Sequence, residues 1–380
     1  IDIPHHKQEL AMQRVFDKWP TQSARISNYV LYREKSAKRE AVKRLGVKGR
    51  LPKEIDYAKL GVDEKEATRI ERKLMGKKRC IRKHCGGVLV FDRALPKSLF
   101  RDDNLILLDK NEVEDLEHLK VDILANRGLS QLLEIDPHTR LDAYPKQDEA
   151  VSDLLCRGDV LGVTQGESPT MKRLFRALQP TGVADCVFAS ALVRPVAVEG
   201  RRKASWFRDW SEKGIQKNAI VYEDDAIHKI MKLIGINPYE ADMYRRAFAK
   251  KNEEKMMQFM ARLGDHPDKH DIYEQMQSLS GFGLCRAHAV NLGRLIWALA
   301  YHKVHNPKQF WAACLKHCQG SYARWVYRNE AKRAGWDLRD LGFDNWITED
   351  PVESFKQHGA WNSPGFLPNM GLQNLFLDKF

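Results

Sequence analysis

The sequence predicts an α+β protein: a mixed sheet carries an acidic site, a basic helical insertion interrupts that sheet, and a large helical region follows. Three observations predict it. Val88–Phe91 and Lys120–Leu124 are short apolar runs of strand length. Two stretches dense in Lys and Arg, with helical spacing, precede Gly86. After Pro195 the apolar spacing is mainly helical.

The elements follow in order. Residues 7–19 alternate in helical fashion and stop at Pro20, which cannot continue a helix. A mixed stretch with Ile26, Tyr29, Val30 and Tyr32 comes next. The spacing predicts a basic helix from Glu34 to Leu45, ended by Gly46. A second basic helix is expected over Glu64–Leu74, running on into Lys77-Lys78-Arg79 and Arg82-Lys83. His84-Cys85-Gly86-Gly87 leads into the Val88–Phe91 strand, and Lys120–Leu124 follows after a polar, acidic connection. Leu154–Val163 and Val187–Val193 are further apolar segments. Glu199–Asn218 is a basic polar loop carrying Trp206 and Trp210. Helices fit Glu223–Leu233, Glu240–Met260, Ile272–Ser278 and His288–His305, the last stopped before Pro307. The tail after Leu338 has no clear pattern, and there is no internal repeat.

With 63 Lys+Arg against 51 Asp+Glu, a formal charge of +12, the chain favours a polyanionic partner over simple solubility. A hydrophobic fraction of 43% suffices for real cores. No run approaches the roughly 18–20 apolar residues of a membrane helix, so a soluble protein is expected. Seven Cys without framework spacing fit a reducing compartment, hence a cytoplasmic location. The start at Ile1, without a methionine, fits an excerpt of a longer protein.

Several constellations carry candidate chemistry. On a strand, Lys120, Asp122 and Leu124 share one face. A carboxylate beside an ammonium suits a metal and a polyphosphate; it also suits an ordinary salt bridge. Asp2, between Ile1 and Ile3, has a similar strand-like context. Nucleotidyl transfer needs two Mg²⁺ ions held by carboxylates, so Asp122 and Asp2 are the candidate metal ligands. In the first basic helix, Lys35, Arg39 and Lys43 sit four apart, joined by Lys38 and Arg44. Phosphate-backbone contact and a solvated face are the two readings. Arg245, Arg246, Lys250 and Lys251 cover a broad helix face that suits an incoming triphosphate, or a surface helix balanced by Glu240, Asp242 and Glu253. Gly86 and Gly87 could let backbone approach a phosphate, as could Gly281-Phe282-Gly283. Tyr222-Glu223-Asp224-Asp225 looks like a metal cluster, but acids in a first helical turn are favoured by the helix dipole. Neither Cys80, His84 and Cys85 nor Cys314, His317 and Cys318 has zinc-site spacing.

These pieces occur in the order of a known family. Ile1-Asp2-Ile3 looks like the end of a P-D-x-D-x-D segment, and Ser36-Ala37-Lys38-Arg39-Glu40 like the start of a thumb. Lys83–Val88 resembles K-H-x-G-G-V, Lys120–Leu124 resembles K-x-D-x-L, and Leu161–Ser168 resembles G-V-F-Q-x-E-S. Val193-Arg194-Pro195 looks like an R-P-G-P turn, Ala241–Ala247 like A-D-x-x-R-R-A, and Arg286–Ala289 like K-[SA]-H-A. The chain thus resembles the C family of bacterial replicative DNA polymerases, the DNA polymerase III alpha subunit and its error-prone relatives, over about residues 1 to 318. The resemblance implies a polymerase-beta-like palm (1–28 and 80–128), an inserted helical thumb (29–79), large helical fingers (129–340) and a tail (341–380). It implies template-directed addition of deoxynucleotides to a primer 3′-OH by two-Mg²⁺ nucleotidyl transfer. Asp122 would be a metal ligand and Lys120, Arg245 and Arg246 would contact the triphosphate, with Arg286 and His288 nearby. The basic thumb would follow duplex DNA. Partners would be primer-template DNA and dNTPs, with a sliding clamp or other replisome proteins. Departures are real: of three alternating acids only Asp2 is present, matching the non-ligand acid by spacing, and Val196, Cys285 and Asn291 replace usual Gly, Asn and Tyr. The short insertions suggest a divergent, phage-like member. The alternative is a non-catalytic DNA-binding protein on a degenerate polymerase scaffold.

Overall fold

The structure is a computed structural model describing residues 1–102, 104–116, 118–193, 221–278, 284–317 and 320–343. The Glu199–Asn218 loop, the Arg194-Pro195 turn, Gly281-Phe282-Gly283, Cys318 and the tail beyond residue 343 lie outside the described residues. The fold is mixed α+β, in two compact units, Ile1–Asn126 and one beginning at Arg127.

The first unit runs β1 (Asp2–Pro4), α1 (Gln8–Lys18), β2 (Ser23–Leu31), α2 (Glu34–Arg44), α3 (Glu64–Leu74), β3 (Lys78–Val90), β4 (Phe100–Asp102), β5 (Leu105–Ile106), α4 (Lys110–Asp115), β6 (Lys120–Asp122) and β7 (Leu124–Asn126). Its main sheet has the order β4-β5-β2-β3-β6, mostly antiparallel with a parallel β2–β5 pair. The expected Lys120–Leu124 strand divides at Ile123: β6 pairs with β3, while β7 pairs in parallel with β1. Helix α1 covers one face, packing Met12 and Phe16 against Val88 and Ile123, with Ile3 and Val121 beside them. Ala24, Ile26, Leu89 and Ile106 form the opposite core with Val113 of α4. Adjacent Val88 and Leu89 therefore serve different cores, as strand alternation requires.

Helices α2 and α3 pack together between β2 and β3, burying Ala37 and Leu74 against Tyr32. The second helix does not run on as expected. Met75 is extended (ψ 129°) and Gly76 is left-handed (φ +74°), so the chain reverses into β3. Lys78, Arg79, Arg82 and Lys83 thus belong to a strand, paired with Leu31, Asn28 and Ser27 of β2 where they face it. Their side chains are exposed, which is how a strand this basic avoids burying charge.

The second unit is helical: α5 (Arg127–Ile135), α6 (Glu149–Arg157), α7 (Pro169–Leu178), α8 (Val183–Leu192), α9 (Glu223–Ile234), α10 (Pro238–Lys250), α11 (Glu253–Leu263), α12 (Lys269–Ser278), α13 (Arg286–His305), α14 (Pro307–His317) and α15 (Arg324–Arg333). Leu295–Ala300 of α13 is buried throughout, packed among α5, α6, α8 and α14. Gly293 lets α13 approach α8 so closely that a Cβ there would stand 2.5 Å from the Val187 backbone. The single helix expected over Glu240–Met260 is two. Lys251 turns left-handed (φ +54°), and the Asn252 side chain then accepts the Lys255 amide at 3.0 Å to start α11. A separate core built on Ile230, Phe248 and Phe259 joins α9–α12.

Candidate active site

In the first unit, Lys120 Nζ donates to Asp122 Oδ2 at 2.8 Å, and both side chains are about one third exposed. Asp122 Oδ1 is buried and has no hydrogen-bond partner. A buried carboxylate oxygen left so is costly unless a water or a cation meets it. Because Ile3, Val121 and Ile123 all pack toward α1, alternation sends Asp2 and Asp122 to the other face of their strands. The β1–β7 register sets Asp2 opposite Leu124, and the Ile1 nitrogen donates to the Asp122 carbonyl at 2.7 Å. Asp122, at the end of β6 in the five-stranded sheet, is a hard-oxygen donor of the kind Mg²⁺ takes, and Asp2 lies on β1 in the separate two-stranded sheet. The orphaned Oδ1 gives such an ion an unmet acceptor, so the residues present fit it.

His84, which the sequence offers only in a K-H-x-G-G-V-like run without zinc-site spacing, joins this site. Its Nδ1 accepts the amides of Gly86 at 3.2 Å and Gly87 at 2.7 Å. Gly86 and Gly87, expected to offer backbone to a phosphate, therefore direct both N–H groups at a side chain of the protein itself. Gly87 lies opposite Asp122 in the ladder, and a Cβ there would sit 2.8 Å from the His84 ring. The imidazole thus occupies the space beside Gly87. Burial, then the charge of Lys120, hold its pKa below the ordinary histidine value, against the pull of Asp122.

The basic residues of α2 divide by partner. Lys35 and Lys43 are exposed. Lys38 pairs with Glu34 at 2.9 Å and Arg44 with Glu40 at 3.2 Å, both one turn away on the surface. Arg39 is structural in its contacts: its guanidinium donates to the Pro52 and Leu51 carbonyls at 2.6 and 3.0 Å, pinning the loop after α2.

In the second unit, Arg245, Arg246 and Arg286 gather around acids. Asp242 accepts from Arg245 Nε and Arg246 Nε, each at 2.7 Å, and Glu223 pairs with Arg245 Nη1 at 3.1 Å. Asp225 pairs with the Arg286 side chain, Asp224 accepts the Arg286 amide at 2.6 Å, and the guanidinium lies 4.5 Å from the centre of the Tyr222 ring. The acids of Glu223-Asp224-Asp225 are thus partners of arginines rather than of one another. Burial raises the Glu223 carboxyl against the pull of Arg245. Burial also pushes Asp242 up, but its hydrogen bonds and charge pairing with Arg245 and Arg246 prevail and hold it low. Arg246 and Arg286 remain more than half exposed. Lys250 is exposed in the last turn of α10, and His288 is half-buried in the first turn of α13.

Comparison with known proteins divides the chain at the same place. Residues 1–125 match the model of the bacterial DNA polymerase III alpha NTPase domain, and residues 127–270 that of the DNA polymerase III alpha finger domain. An error-prone DNA polymerase of Anaeromyxobacter dehalogenans is 26% identical over 91% of this chain and 37% of its own length. Its counterpart in Brucella abortus is 26% identical over 91% of this chain and 39% of its own length. That of Methylococcus capsulatus is 24% identical over 96% of this chain and 41% of its own length. The chain spans about two fifths of the length of these relatives. With both family models matching in sequence and order, the chain is a DNA polymerase III alpha-like protein.

Proposed function

We propose that the chain is the palm, thumb and fingers core of a template-directed DNA polymerase that adds deoxynucleotides to a primer 3′-OH. The first unit would be a polymerase-beta-like palm and the α2–α3 pair its thumb; the helical unit would be the fingers. The observation that carries the reading is Asp122, one carboxylate oxygen held by Lys120 and the other buried without a partner, in the part that matches the alpha NTPase-domain model.

Asp122 and Asp2 would hold Mg²⁺, two ions in the full site. Magnesium, when bound, stabilises charge on the attacking 3′-oxygen and the transferring phosphate. Lys120 limits the negative charge around Asp122 and offers an ammonium to the triphosphate. Arg245, Arg246, Arg286 and Lys250, with His288, would bind the triphosphate and steady the leaving pyrophosphate. Arginine pairs formed with Asp242, Glu223 and Asp225 keep those guanidinium groups oriented until phosphate arrives. Lys35 and Lys43, with Lys38 and Arg44 exchanging their surface acids for phosphates, would follow the duplex backbone, joined by the exposed cations of β3. Primer-template DNA and dNTPs are the expected ligands, a sliding clamp or another replisome protein the expected partner, and the cytoplasm the expected location.

Asp122→Asn tests the reading, because it keeps shape and removes the charge. Loss of Mg²⁺-dependent primer extension with DNA affinity retained supports the enzyme. A protein that binds DNA with salt sensitivity, and whose full-length form never extends a primer, is the non-catalytic scaffold instead.

A further inference from the structure

Strand β3 carries an interruption that the proposed chemistry does not use. Between the pairs Arg25–Val88 and Ser27–Lys83, two steps along β2 face five along β3, so three residues of β3 are extra. The bulge is His84-Cys85-Gly86-Gly87, and its last residue, Gly87, is already paired with Asp122 of β6. Bulges of this kind bend a strand and re-aim neighbouring side chains.

Its polar groups are met from several elements. His84 Nδ1 closes the bulge from within, accepting the Gly86 and Gly87 amides. The His84 carbonyl accepts Arg25 Nε at 3.0 Å, and Arg25 is steadied by Glu9 at 3.0 Å. The Gly86 carbonyl accepts the Ile123 amide at 2.8 Å. Gln8 does the most specific work. Its side-chain amide donates to the Cys85 carbonyl at 2.9 Å and to the Ile123 carbonyl at 2.7 Å. One NH₂ group therefore ties the bulge to the residue that follows Asp122. Since His84 Nδ1 accepts two N–H bonds, its proton sits on Nε2 and the ring is neutral. The ring fills the space beside Gly87, which faces Asp122 in the ladder.

We infer that Gln8 and His84 are positioning residues that set the Asp122 carboxylate for a divalent cation, acting through the 84–87 bulge. The inference rests on the proposed metal role of Asp122. Groups that orient a metal ligand without touching the metal typically change affinity about 10–100-fold when removed. The test is Mn²⁺ binding by the 380-residue chain, followed by electron paramagnetic resonance, for wild type, Asp122→Asn, Gln8→Ala, His84→Ala and His84→Asn. Amide exchange over residues 84–88 and 120–124 is followed in parallel.

Expected are a loss of about tenfold or more in Mn²⁺ affinity for Gln8→Ala and His84→Ala, with faster exchange confined to the two segments. His84→Asn, whose side-chain oxygen can still accept the glycine amides, recovers most of the affinity. Duplex-DNA affinity stays at the wild-type value in all of them. If His84→Ala does not fold, Gln8→Ala decides alone. Wild-type Mn²⁺ affinity in Gln8→Ala and His84→Ala, alongside loss in Asp122→Asn, overturns the positioning role and leaves the Asp122 reading intact. Unchanged affinity in Asp122→Asn overturns both.

Discussion

Gly86→Ala is the substitution whose effect follows most directly from the geometry. A Cβ at Gly86 would stand 2.7 Å from the Ile123 carbonyl oxygen and 3.0 Å from the Leu124 side chain, whereas ordinary contact begins at 3.4 Å. Relief therefore needs β3 and the Asp122-bearing segment to separate by about 0.7 Å. That movement stretches the 2.8 Å bond from the Ile123 amide to the Gly86 carbonyl beyond useful length. Overpacking costs about 1–3 kcal/mol and a lost hydrogen bond about 1 kcal/mol, so roughly 2–3 kcal/mol is expected when the overlap of the two is allowed for. The assay is urea unfolding of the chain with hydrogen exchange over residues 78–90 and 120–124. A lower midpoint with exchange raised in both segments is expected. A wild-type midpoint with wild-type protection there would refute the claim that the bulge and the Asp122 segment are packed this closely.

Other outcomes follow from the same geometry. Glu167 is buried and accepts from the Gly162 and Ser321 amides, each at 3.0 Å, and from the Tyr327 hydroxyl at 2.6 Å. Glu167→Ala leaves two buried donors and one partly buried donor unmet and should cost roughly 3–5 kcal/mol by denaturant titration, with Glu167→Gln milder. Arg39→Ala should destabilise by about 1–2 kcal/mol through the Leu51 and Pro52 carbonyls. Lys35→Ala and Lys43→Ala should leave the unfolding midpoint alone and each flatten the log–log salt slope of duplex binding by about 0.9. His302 is buried, with Nε2 2.8 Å from the Tyr144 hydroxyl, and that burial lowers its pKa. The unfolded chain then binds the proton more readily. The stabilising contribution is whole above about pH 6.5 and is lost as pH falls below it toward the folded-state pKa. Thermal melts across pH 5–8, wild type against His302→Gln, should converge at the acid end.

Local rules carried some of this architecture and left out what depends on distant partners. Lys120 and Asp122 were readable as a pair because strand alternation acts over two residues, and their 2.8 Å contact follows from it. Helix α2 was readable from its composition and Gly46, which has φ +94°. The division at Lys251 was missed, although Asn252 before two acids is a helix-start signal. The end of β3 was readable in Val88–Val90, but its first part, from Lys78 to Lys83, was missed because its cations outweighed Cys80 and Ile81, and because Gly76 was not read as the turn it makes. The bulge could not be read locally at all. Its Cys85 carbonyl is met by Gln8, 77 residues away, whose amide also reaches the Ile123 carbonyl 115 residues from it, and its Gly86 carbonyl is met by the Ile123 amide. Arg39 shows the same limit in reverse: spacing put it on a phosphate-facing stripe, and the loop after α2 took its guanidinium. The acids of Glu223-Asp224-Asp225 fit the helix dipole by position, yet pairing with Arg245 needed α9 packed against α10, and pairing with Arg286 needed α9 beside the start of α13.

The central claim is that Asp122 is a working carboxylate of nucleotidyl transfer. The most direct measurement is Mg²⁺-dependent extension of a primed template by the protein expressed in full from its own gene, wild type against Asp122→Asn, with DNA affinity measured on the same preparations. The account predicts extension by the wild type and a fall of at least about 10³-fold in the variant, the scale of losing a principal electrostatic contact in a transition state, with unchanged DNA binding. Extension at the wild-type rate by Asp122→Asn would contradict it.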